Sequence, residues 1–165
     1  MSTAIPPRPR PVGFNPRQFT VKRRFVIVAS QYNSEYVQGL VDHTVKELRN
    51  LVSNAQIDLH QVPGAFEIPV VAREIARHKK ADVVVALGVI MKGKTEHAAN
   101  ISRAVTDALQ RIAVEDGIPM IHGVLTLNTE TQARERCLED QMNRGTEAAR
   151  AAVQMANLFA ELRER

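Results

Sequence analysis

The segment ADVVVALGVIM, residues 81–91, constrains the fold more than any other stretch of this chain. It is apolar almost without break and rich in β-branched residues. It is also well short of the ~20 residues of a membrane span, and no other apolar run in the chain approaches that length. A strand that is apolar on both faces belongs in the middle of a parallel sheet, covered by helices above and below. Its flanks carry the complementary signals. RRFVIVAS (23–30) is a second short buried strand, and IDLHQV (57–62) and IPMIHGVLTL (118–127) read as strands as well.

Helical periods separate these runs. Val37, Leu40, Val41, Val45 and Leu48 recur at helical spacing, and Asn33 or Ser34 can cap that helix, which is expected to end near Leu51. Pro63-Gly64 is a turn. AFEIPVVAREIARHKK follows as a helix, with Pro69 tolerable only in its first turn. The next helix is expected from near Thr95, with that threonine able to cap it, to Asp116, and Gly117 suits its C-terminal left-handed position. Thr129 or Thr131 can open another, and Gly145 is expected to divide it from a last helix ending near Arg165. Strand and helix alternate throughout. The expected class is therefore α/β, a three-layer αβα arrangement around a four-stranded parallel sheet with right-handed crossovers. So small a sheet has vulnerable edges, and an extra strand from the N-terminal tail of a neighbouring copy would cover one.

Composition divides the 165 residues in two. Five of the eight prolines lie within residues 1–16, and residues 1–24 hold six basic and no acidic side chains. Residues 1–22 read as an extended Pro/Arg-rich tail, and residues 23–165 as one α/β domain. Without residues 1–24 the charge balance is −2, against +4 for the whole chain. The basic character thus belongs to the tail, and with only 4% aromatics the body offers no nucleic-acid-binding face. The N-terminus has no apolar signal core, so a cytoplasmic protein that does not engage membranes is expected. Cys137 is the single cysteine, and His43, His60 and His78 lack metal-ligand spacing, so no metal site is expected.

In open α/β sheets ligands bind beyond the carboxyl ends of the strands. Those ends are SQYNS (30–34), VPGAFE (62–67), MKGKTEH (91–97) and TLNTE (126–130). MKGKTEH offers most. Gly93 lets backbone approach a ligand, Thr95 and the lysines suit an anion, and His97 can pass protons near neutral pH. Tyr32 and Phe66 each suit either ring stacking or core packing, and Glu67 either ligand hydroxyls or the helix dipole. Dinucleotide and P-loop glycine patterns are absent. A Schiff base on Lys92 or Lys94 would need a buried amine, which so polar a turn does not favour.

PGAFEIP (63–69), LGVIMKGKTEH (87–97), NRGTEAA (143–149) and MANL (155–158) together resemble the lumazine synthase family over roughly residues 24–159. The resemblance implies a flavodoxin-like fold. It also implies condensation of 5-amino-6-(D-ribitylamino)uracil with 3,4-dihydroxy-2-butanone 4-phosphate, without metal or organic cofactor, and a homopentamer or higher assembly with sites between subunits. It assigns proton transfer to His97. Tyr32 falls where an aromatic stacks on the pyrimidine, with Asn33 and Ser34 beside it. Ala65, Phe66 and Glu67 fall on the stretch that holds the ribityl chain and pyrimidine, and Val89, Ile90 and Met91 on the strand edge that meets the ring. Lys94, Thr95 and Arg136 match phosphate-binding positions. Arg144 matches a basic position near the substrate, and Glu147 an acid that orients the histidine. His122 stands where a neighbour's phenylalanine usually covers the pyrimidine, and Asp140 where many members carry lysine. Both departures are expected to alter the site.

Overall fold

A computed structural model describes residues 22–93 and 95–163. The expectations for the tail, for Lys94 and for the end near Arg165 lie outside the described residues. The elements run β1 (Arg24–Ser30), α1 (Ser34–Leu51), β2 (Gln56–Val62), α2 (Ile68–Arg77), β3 (Val83–Met91), α3 (His97–Asp116), β4 (Met120–Leu127), α4 (Glu130–Cys137) and α5 (Arg144–Arg163), with one 3₁₀ turn at Ala65–Glu67 before α2. The four strands form one parallel sheet in the order β2-β1-β3-β4. This is the expected α/β architecture, flavodoxin-like in its 2-1-3-4 order.

The pleat sorts the core into two layers. Phe25, Ile27, Ala29, Val83, Val85, Leu87 and Val89 face α1, α4 and α5. Val26, Val28, Val84 and Ala86 alternate with them and face α2 and α3. β1 and β3 are therefore buried on both sides, which is why their sequences lack the polar alternation of a strand with one wet face. β2, at one edge, keeps much of its length exposed.

Local chemistry explains most element ends and corrects some expectations. Gly117 ends α3 at φ 61°, as expected of a glycine in that position. Thr129 caps α4 by accepting a hydrogen bond from the Gln132 N–H. Pro69 does stand in the first turn of α2, but the helix is preceded by the 3₁₀ turn instead of beginning at Ala65. Asn33 occupies the N-cap position of α1 in the left-handed region at φ 57° and does not cap it, because its side chain is used elsewhere. α3 begins at His97, two residues later than expected, and Thr95 does not cap it.

Gly145 does not divide two helices. It lies in the first turn of α5, where a Cβ would stand 2.3 Å from the Leu40 carbonyl oxygen, so the glycine is required by close packing on α1. α4 ends earlier, at Cys137, and Asn143 starts α5. Its Oδ1 accepts from the N–H groups of Gly145 (2.8 Å) and Thr146 (3.3 Å), and its amide donates to the Glu139 carbonyl at 3.1 Å. The α1–α5 layer is fastened further by a half-buried Arg150–Glu47 pair at 2.8 Å. Cys137 is fully buried there, and burial pushes its thiol from 9.0 up to about 12, so it is no nucleophile.

Candidate active site

The strand order reverses between β1 and β3, since β1 leads outward to β2 on one side and β3 to β4 on the other. The carboxyl ends of the strands open a crevice at that point. β3 also outruns β1: its last pairing with that strand is Ala29 with Leu87, Gly88 lies opposite the terminal Ser30, and Val89 to Met91 project beyond β1 while remaining paired with β4.

A cavity of about 750 Å³ occupies this position. One wall is the strand edge Val89–Met91. A second comes from the β1–α1 turn, through Tyr32 and Asn33. The third is Gly64 to Glu67, and the fourth is the first two turns of α3, through His97, Asn100, Ile101 and Ala104. Backbone hydrogen bonds from the N–H of Gln31 and of Tyr32 to the Pro63 carbonyl, both 3.2 Å, tie the second and third walls together. The Asn33 amide donates to the Val89 carbonyl at 2.8 Å and ties the second to the first. The Glu67 carboxylate accepts from the Gly64 N–H at 2.8 Å, which fixes the bend of that loop. A Cβ on Gly64 would come within 2.9 Å of that carboxylate and 3.2 Å of the Tyr32 ring, so a larger residue there would push both side chains from their present places.

The cavity is lined by apolar side chains and rimmed by polar ones, and one side of it is open. Tyr32 is 70% exposed and Phe66 61%. Two large aromatic rings thus stand in water at the mouth of an apolar cavity. His97, the first residue of α3, is exposed at the rim. No side chain caps α3, so its first N–H groups are left for an anion. The arrangement suits a planar, partly apolar ligand beside a group that needs a proton donor or acceptor, with an anionic substituent at the end of α3.

The structure gathers Tyr32, Asn33, Ala65, Phe66, Glu67, Val89, Ile90, Met91 and His97 from the expected set. Asn100, Ile101 and Ala104 were not anticipated, although their spacing of three, four and seven residues from His97 places them on one helix face with it. Other expected residues lie elsewhere. Ser34 and Thr95 are exposed beside the cavity without lining it, and Arg136 is half-buried on α4. Arg144 pairs with Glu147, so within one chain Glu147 orients that arginine and not His97. Asp140 is exposed and approaches His43 at 3.7 Å. Lys92 is exposed, which disfavours a Schiff-base role.

His122 is exposed on β4 and pairs in register with Ala86, three residues short of Val89, or about 10 Å at strand rise. Its Nε2 lies 2.8 Å from the Thr106 hydroxyl, which donates its own proton to the Ser102 carbonyl at 2.8 Å. Among the described residues no group of three or more His, Cys, Asp or Glu side chains could hold a metal ion, and no helix is long and apolar enough to cross a membrane.

Comparison with known proteins gives this geometry a context. A family model described as 6,7-dimethyl-8-ribityllumazine synthase matches residues 22–160. A 6,7-dimethyl-8-ribityllumazine synthase from Buchnera aphidicola subsp. Baizongia pistaciae is 37% identical over 140 residues, covering 84% of this chain and 88% of that protein. Among solved structures, a de novo designed Rossmann fold protein matches with TM-score 0.39 at 18% identity, over 68% of this chain and 91% of its own. A GDSL-like lipase from Bacteroides thetaiotaomicron matches with TM-score 0.35 at 13% identity, over 92% of each chain. Scores that low bear on neither fold nor function.

Proposed function

The chain belongs to the 6,7-dimethyl-8-ribityllumazine synthase family, its activity is that of a lumazine synthase in riboflavin biosynthesis, and on that premise we propose how its pocket carries the reaction. The substrates are 5-amino-6-(D-ribitylamino)uracil and 3,4-dihydroxy-2-butanone 4-phosphate. The 5-amino group attacks the ketone carbon, and the resulting carbinolamine loses water to give an imine. Loss of a proton and of phosphate follows. That elimination leaves an enol, which takes up a proton at its terminal carbon to become a ketone; the ribitylamino nitrogen closes the ring on this new carbonyl, and a second water leaves. Each step moves protons between nitrogen, oxygen and carbon, and none needs a redox partner.

Two contributions suffice. Holding both reactants in register is worth roughly ~7–11 kcal/mol. A positioned acid/base adds about 10²–10⁴-fold. We assign the second to His97 and the first to the walls. Tyr32 stacks on the pyrimidine, with Asn33 and Ser34 at its side. Val89, Ile90 and Met91 present backbone to the ring. Ala65, Phe66 and Glu67 hold the ribityl chain, Glu67 accepting hydroxyls with a carboxylate already fixed by Gly64. The phosphate goes to Lys94, Thr95 and the uncapped start of α3, gripped by Arg136, whose planar fork binds two oxygens at once. Arg144 adds positive charge nearby, while Asp140 removes some. A charged phosphorylated substrate does not cross a bilayer unaided, which supports the cytoplasmic setting we propose.

The exposed Tyr32 and Phe66 support completion of the site by another copy of the chain, in a homopentamer or a larger shell built from pentamers. In that assembly His122 of a neighbouring copy covers the pyrimidine. The observation that carries the reading is the opening of His97 and the projecting β3 edge onto one cavity walled by aromatic rings. The test is turnover. Purified protein, mixed with both substrates, is expected to form lumazine in proportion to enzyme and above the uncatalysed background, followed by absorbance and fluorescence. No acceleration by a folded assembly that binds both substrates would overturn it.

A further inference from the structure

Behind the pocket walls lies a hydroxyl that the fold does not use. Ser30 ends β1, pairs in register with Val62 and is 2% exposed. Its Oγ finds no hydrogen-bond partner among the described residues. Burying a hydroxyl unpaired is costly, and native proteins satisfy most such groups. Nothing in packing requires the oxygen, since Val26 and Val28 occupy the same face of the same strand with apolar side chains.

Its position relates it to the cavity. Gly88 makes the space, because a Cβ there would stand 3.0 Å from Ser30 Oγ and 3.5 Å from Ile68 Cδ1. From each of these three residues the chain leads directly to a wall: Ser30 to Tyr32 and Asn33, Gly88 to Val89 and Ile90, and Ile68 back to Glu67 and Ala65. The hydroxyl therefore lies just behind the three walls, on the sheet face shared with Val28, Ala65 and Ile68, sealed from solvent and outside the cavity lining, so that a ligand or one water reaches it only when the walls part.

We propose that Ser30 is a further substrate-positioning residue, whose Oγ hydrogen-bonds a rim atom of the pyrimidine substrate, directly or through one water. The unpaired hydroxyl of the free protein is satisfied on binding, and the fold carries its cost until then. A heteroaromatic ring fits better than the phosphorylated ketone. Its rim alternates carbonyl and N–H groups, and a hydroxyl both donates and accepts. The phosphate is drawn instead to the first turn of α3. The inference rests on the lumazine synthase reading of this pocket.

The test uses the full chain with Ser30→Ala and Ser30→Cys. Titration with ribitylaminouracil is expected to show Kd raised about tenfold in Ser30→Ala, with KM for the butanone phosphate unchanged. The melting temperature should be equal to or above that of the parent, because the unpaired buried group is gone. Ser30→Cys keeps the size with a weaker hydrogen-bonding group, and its Kd should fall between the two. A Ser30→Ala Kd within about twofold of the parent overturns the inference. So does a lower melting temperature with equal losses toward both substrates, which would make the hydroxyl structural. If the parent protein turns over and Ser30→Ala binds unchanged, this inference alone falls. If the parent shows no turnover, the family reading falls and takes it along.

Discussion

Two asparagines stand at the starts of helices and do opposite things. Asn143 is completely buried and spends its side chain on its own helix and junction, capping α5 and closing back on Glu139. Asn33 precedes α1 in a left-handed conformation and leaves that helix uncapped. Its amide reaches across to the Val89 carbonyl at the edge of the pocket. The contrast extends to their surroundings. Around Asn143 the α1–α5 layer is sealed by small residues, a glycine contact and an ion pair. Around Asn33 the rim carries exposed rings, an uncapped α3 and, just behind it, an unpaired hydroxyl. Polar groups in the sealed region satisfy their own helix and junction, while those at the rim brace the pocket walls, as Asn33 and Glu67 do, or stay unpaired, as Ser30 Oγ does.

The strongest way to break this comparison is to overfill the sealed region. Gly145→Ala puts a Cβ 2.3 Å from a backbone carbonyl that cannot swing aside. We expect a loss of about 3 kcal/mol of stability in urea denaturation. Substrate affinity of the protein that remains folded should be unchanged. A loss below about 0.5 kcal/mol would mean that α1 and α5 part easily and the region is not rigid.

At the rim the pattern should invert. His97→Ala removes an exposed side chain without a structural bond to replace, so stability should stay within about 0.5 kcal/mol. kcat should fall about 10²-fold, equivalent to roughly 2.7 kcal/mol of barrier. A change below about tenfold would remove His97 from the role of main proton shuttle.

How much of this was legible depends on the range of the interaction. The strands and their order of burial follow from short apolar runs, because a strand covered on both faces must be apolar throughout. The walls from Tyr32, Phe66 and Val89–Met91 follow because the carboxyl ends of parallel strands share one edge of the sheet. Helix starts were harder. Whether Asn33 caps α1 depends on Val89, 56 residues away, and no local pattern records that distance. Gly145 looked like a helix breaker because the Leu40 carbonyl that demands it lies on another helix. Arg136 and Arg144 lie outside the cavity of one chain, which the motifs did not show because a motif gives a residue's identity and not its distance from the other groups; His122, expected to serve a neighbouring copy, lies outside it too.

The two asparagines themselves give the smaller tests. Asn143→Ala removes a cap that serves two N–H groups, and about 1 kcal/mol of stability should go with it, read from denaturant midpoints, with kinetic constants unchanged. An accompanying loss of turnover would show that the α4–α5 junction also positions Arg136 and Arg144, and the sealed region could no longer be treated as separate from the site.

Asn33→Gly should have the least effect on stability and still be felt at the site. Glycine accepts φ 57° without strain, and α1 already lacks a side-chain cap, so the helix loses nothing it had. The substitution removes only the bond to the Val89 carbonyl, and the exposed position limits that cost to about 0.5 kcal/mol. β3 projects three residues past β1 at this point, and without the asparagine no side chain among the described residues holds that edge against the β1–α1 turn. The binding wall should loosen, raising KM for the ribitylaminouracil by about three- to tenfold while kcat and the melting temperature hold. An equal rise for both substrates would place Asn33 in general support of the crevice. A drop in melting temperature with unchanged KM would move Asn33 to the structural side of the comparison, beside Asn143.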